Sequence, residues 1–148
     1  MMRTRTFVSL GIIAVALSLS ACSSTMASNT TALRATLTGA NEVPATASTG
    51  TGRVDAILDQ QTHVLTWTVT YDGLTGTVKA GHFHGPAAVG ANAPVALAFS
   101  GSMESPIKGT ATLTDTQAAD LLAGKWYVNL HTAANPKGEI RGQVLPAQ

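Results

Sequence analysis

The clearest periodic signal lies in residues 63–71, where Leu65, Trp67, Val69 and Tyr71 alternate with Thr66, Thr68 and Thr70. Side chains of an extended chain point to opposite faces in turn. This segment therefore carries one apolar face and one face wetted by threonine, as a half-buried antiparallel strand requires. The same two-residue period marks residues 33–38, 53–58, 78–84, 94–99, 107–113, 126–132 and 139–145, with Gly39, Gly50, Gly52 and Asp72-Gly73 at the breaks. One segment leaves the period. Thr114 has the character of an N-cap, Gln117 stands three residues on as in a capping box, Ala118, Leu121 and Leu122 form an apolar stripe, and Gly124 can stop the helix. Eight short strands with glycine-rich turns and one short helix predict an all-β fold, an antiparallel Greek-key β-sandwich.

The first residues do not share this pattern. Arg3 and Arg5 precede an apolar run over residues 7–19, too short for a membrane span of about 20 residues and laid out as a secretory signal. The run ends in Leu19-Ser20-Ala21-Cys22, which resembles the lipobox of bacterial lipoproteins, and Cys22 is the chain's one cysteine. It has no internal disulfide partner, so acylation is its expected chemistry. The predicted organisation is a lipoprotein signal peptide at 1–21, a flexible tether at 22–31 and one folded domain at 32–146. The expected location is the bacterial cell envelope, with Ser23 after the cysteine pointing to the outer membrane if the source is Gram-negative. Removal of Arg3 and Arg5 takes the formal net charge from +1 to −1. With no basic stripe and 5% aromatic residues, no nucleic-acid partner is expected.

Candidate chemistry concentrates in histidine. In Gly81-His82-Phe83-His84-Gly85 the two imidazoles emerge on one strand face while Phe83 goes to the other. A third, His131, ends the run Tyr127-Val128-Asn129-Leu130-His131. Parity puts Tyr127, Asn129 and His131 on the outer face of their strand, and Glu139, Arg141 and Gln143 on the outer face of the next. Three neutral imidazoles converging on one point suit copper, with zinc or iron as alternatives. Glu139 and Asn129 are the expected supporting residues around the ligands, with Arg141 as attractor of an anionic substrate; a cross-strand ion pair is the alternative use of Glu139 and Arg141. His63 is read as a surface residue. No G-x-S-x-G, P-loop or paired-carboxylate arrangement is present.

Four ordered motifs resemble the CHRD domain, first described in chordin: Leu37-Thr38-Gly39-Ala40-Asn41-Glu42-Val43-Pro44, Gly81-His82-Phe83-His84-Gly85, Tyr127-Val128-Asn129-Leu130-His131-Thr132, and Asn135-Pro136-Lys137-Gly138-Glu139-Ile140-Arg141-Gly142-Gln143. The resemblance covers nearly all of the chain after the leader and implies a β-sandwich module. Ala45 departs from it, where the family often has a second proline. The order of the histidine motifs and of Arg141 is also similar to Cu/Zn superoxide dismutase. That likeness implies copper on His82, His84 and His131 with Arg141 drawing in superoxide, but the bridging histidine, the zinc ligands and the disulfide have no counterparts. The expected function is a lipid-anchored metal-binding domain with dismutase-like redox activity. The alternative is a non-catalytic surface module for a protein or glycan partner.

Overall fold

The computed structural model describes residues 29–147; the expected leader, Cys22 and most of the expected tether lie outside them. All eight expected strands form: β1 (Thr30–Thr38), β2 (Thr51–Asp59), β3 (Val64–Asp72), β4 (Val78–His84), β5 (Val95–Ala98), β6 (Ile107–Thr112), β7 (Trp126–Thr132) and β8 (Ile140–Pro146). β1 begins two residues before the expected domain boundary. The helix α1 (Asp115–Leu122) is closed at its N-terminus by the expected capping box: Thr114 Oγ1 accepts from Gln117 N–H, and the Gln117 side chain accepts from Thr114 N–H. Gly124, at φ +69°, ends the segment.

Every pairing is antiparallel, and the strands run β5-β4-β7-β8-β1-β2-β3-β6 in a single hydrogen-bonded sheet. The two layers expected of a sandwich are two halves of this sheet, which curls strongly into a half-barrel. Trp67 of β3 shows how closely the halves approach. Its ring centroid lies 5.4 Å from that of Phe83 on β4, edge to face, and 5.7 Å from that of Phe99 beyond β5. β3 and β4 are five places apart in the sheet, so these contacts close the curl rather than link neighbours. Gly109 opposite Trp67 makes room for the indole, since a Cβ there would stand 2.2 Å from the ring. Leu37, Val54, Leu58, Leu65, Val69, Phe83, Val128, Leu130, Ile140 and Val144 are fully enclosed in the same core.

Register fixes what stands beside what on the convex side. His82 pairs with Asn129, Asn129 with Arg141, and Arg141 with Thr38, a row across β4, β7, β8 and β1. The row crosses β1 at its last residue. Thr30, at the other end of β1, pairs with Asp59, and Ala147 N–H reaches Ala32 O beside it.

Candidate metal centre

β4 and β7 together place the three expected histidines in one cluster. His82 and His84 project two residues apart from β4, and His131 stands opposite Ala80 on β7. One ligand nitrogen from each lies within 4.8 Å of the other two. His82 Nδ1 is 3.1 Å from His131 Nε2. All three side chains are partly buried.

Backbone carbonyls orient two of the rings. His84 Nδ1 is 3.0 Å from Ala93 O, and His131 Nδ1 is 3.1 Å from Pro136 O. A carbonyl only accepts, so each Nδ1 carries its hydrogen and each neutral ring turns an Nε2 lone pair into the cluster, the arrangement typical of metal-ligating histidine. Burial, together with the charge His131 and His84 would bring, holds His82 below the usual imidazole pKa. His131 is held low by burial, against the opposing pull of the Pro136 carbonyl. Both effects favour the neutral rings that ligation needs.

Asn129 lies within this group. Its Oδ1 is 3.0 Å from Nε2 of both His84 and His131. On its other side is Glu42, from the segment after β1, 7% exposed and with Oε1 lacking a hydrogen-bond partner. Burial raises the pKa of Glu42, while the Arg141 charge and hydrogen bonding from Val43 N–H and the Asn129 side chain pull it back. Glu42 is a member of the site that periodicity did not reveal. It stands two residues before Pro44 in an irregular segment, and only the fold brings it against β7.

Parity assigned the faces of β7 and β8 correctly for Asn129, His131 and Arg141, but the outer face is roofed by loops. Asn129 is 4% and Arg141 2% exposed. The Arg141 guanidinium lies 3.4 Å from the centre of the Tyr127 ring, and its terminal nitrogens donate to Asn92 Oδ1 and Ala91 O. Tyr127 stacks in turn on His84, with ring planes 2° apart and centroids 4.8 Å apart. Arg141 is thus separated from His84 by a tyrosine ring and clamps the 86–94 loop, an arrangement that braces His84 instead of presenting a cation to incoming anions.

Glu139 turns elsewhere. It is completely enclosed, and its carboxylate accepts from Ser48 Oγ, Thr75 N–H, Thr75 Oγ1 and Thr132 Oγ1 at 2.5–2.8 Å. None of these partners is a histidine of the cluster. Burial alone would raise its pKa, but the hydroxyl and amide donors outweigh it and hold the acid at about 2. The expected alternative of an ion pair with Arg141 is not what occupies it either. His63 is not part of the cluster: just before β3, with φ of 55°, it faces Asp115 at the head of α1, 3.3 Å away.

The fold and the site together define an all-β domain with a three-histidine cluster able to hold a metal ion. The CHRD domain model matches residues 33–144, and the chain belongs to the CHRD domain family. No curated protein and no solved structure matches it.

Proposed function

We propose that this CHRD domain binds a transition metal, copper foremost, on His82, His84 and His131, and that it does so in the bacterial cell envelope, anchored by a lipid on Cys22. The observation that carries the metal reading is the fixed inward aim of the His84 and His131 Nε2 atoms, each set by a carbonyl behind its own ring, with the His82 nitrogen inside the same 4.8 Å group. Imidazole donors suit copper, zinc and iron. Copper or iron held there would supply one-electron chemistry toward a small molecule such as superoxide. The partial exposure of all three rings supports access, and the chain's part is to hold neutral imidazoles in place while Tyr127 and the loop carbonyls keep His84 and His131 from turning.

Protein purified without chelator and without a polyhistidine tag is expected to carry, or to take up, one metal ion per chain by elemental analysis and titration calorimetry. His131→Ala should weaken binding by at least tenfold, and His63→Ala should leave it unchanged. Equal affinity in wild type and His131→Ala would remove the metal reading and favour a surface module for a protein or glycan. The anchor is tested apart from the metal: Cys22→Ser should block acylation and leave unprocessed precursor, and a native mature N-terminus beyond Cys22 without lipid would overturn it.

A further inference from the structure

The three histidines leave two contacts at the cluster without a hydrogen. His84 Nδ1–H is committed to Ala93 O and His131 Nδ1–H to Pro136 O, so in the neutral rings both Nε2 atoms are acceptors. Asn129 Oδ1, 3.0 Å from each, is an acceptor too. His82 Nδ1–H can satisfy His131 Nε2 at 3.1 Å. Nothing among these groups then supplies a hydrogen between Asn129 Oδ1 and the Nε2 of either His84 or His131. Two lone pairs facing each other at hydrogen-bond distance in a half-buried site need a cation between them.

The orientation of the Asn129 amide is what makes its oxygen available. Its nitrogen lies on the Glu42 side: a Cβ on Gly138 would stand 2.7 Å from Asn129 Nδ2 and 2.3 Å from Glu42 Oε1, so these two atoms border the same small space. Glu42 Oε1 makes no hydrogen bond, and the donor end of the amide suits a buried carboxyl oxygen left in that state better than its acceptor end. The nitrogen faces Glu42, and the oxygen faces the histidines.

We infer that Asn129 Oδ1 is a fourth ligand of the metal, completing an N3O donor set with His82, His84 and His131, and that Glu42 is the positioning residue that keeps the amide oxygen turned inward. This rests on the metal reading above. A neutral oxygen beside three imidazoles suits a divalent ion better than a soft monovalent one, so the set favours Cu²⁺, Zn²⁺ or Co²⁺ over Cu⁺.

The test is titration of the full-length mature protein with Zn²⁺ and Co²⁺, with the visible spectrum of the Co²⁺ form recorded alongside. Asn129→Leu, which keeps the side-chain volume, should lower divalent affinity about 10–100-fold and shift the Co²⁺ spectrum. Asn129→Asp, which offers an anionic oxygen at the same place, should bind at least as tightly as wild type. Glu42→Leu should reproduce part of the Asn129→Leu loss, and Glu42→Gln, which retains an acceptor, should restore most of it. If Asn129→Leu does not fold, Asn129→Asp decides alone: an unchanged Co²⁺ spectrum overturns the fourth ligand. Wild type and Asn129→Leu binding alike would sink the inference and leave the three-histidine site standing, as would tighter binding by Asn129→Leu, the sign that the amide nitrogen faces the rings. Absence of binding by wild type would remove both.

Discussion

Gly138 has a φ of +129°, and a side chain there would start 2.3 Å from Glu42 Oε1. Two separate penalties therefore meet at one residue, backbone strain and a clash with the buried carboxyl. Gly138→Ala is expected to cost about 1–3 kcal/mol in stability from the backbone alone, measured by denaturant unfolding. It should also weaken divalent metal binding, because the Glu42 carboxyl and the Asn129 amide are the groups that must move. Loss of stability with metal affinity fully retained would show that the Glu42 side of Asn129 has no bearing on the site. Tyr127 makes a comparable point by contact: one face meets the Arg141 guanidinium and the other the His84 imidazole, so its ring orders two side chains at once.

Among the elements, the turn between β7 and β8 is tied to three other segments by Glu139. That carboxylate ties Ser48 before β2, Thr75 between β3 and β4, and Thr132 at the end of β7 to the start of β8. Its folded pKa of about 2 lies below the ordinary 4.5. The folded state therefore binds its proton more weakly than the unfolded chain does. The resulting stabilisation is fully present above about pH 4.5 and is lost as pH falls toward 2, a contribution of up to about 3 kcal/mol. Glu139→Gln should unfold at lower denaturant than wild type at pH 7, with the gap narrowing between pH 4.5 and 2. A gap independent of pH would assign the effect to packing.

The strands and α1 were legible because each carries its own period or cap, as Leu65, Trp67 and Val69 do for β3 and Thr114 with Gln117 for the helix. Convergence of His82, His84 and His131 was legible in part, since parity gives the face of a strand but not its neighbour in the sheet. The surroundings were not. Whether Arg141 meets solvent or a tyrosine, and whether Glu139 meets a histidine or three hydroxyls, depends on where irregular segments at 39–50, 73–77 and 86–94 come to rest, and those segments have no periodicity to read. Glu42 was hidden for the same reason.

At the scale of the whole molecule, stability depends on the curl closing. Trp67 is the residue that bridges the two ends of the sheet, through Phe83 and Phe99, so Trp67→Ala removes a bridge as well as buried area. A loss of about 3–5 kcal/mol is expected in denaturant titration, and a loss well under 1 kcal/mol would show that the sheet closes without it. The register also gives the domain two poles. The row of His82, Asn129 and Arg141 meets β1 at Thr38, eight residues from Thr30, or about 25 Å along an extended strand. The chain enters the sheet at the Thr30 pole, and Ala147 lies against that same pole. A domain held by the segment that precedes Thr30 is gripped at its base. The histidines stand toward the opposite end of the strands, on the convex side of the sheet.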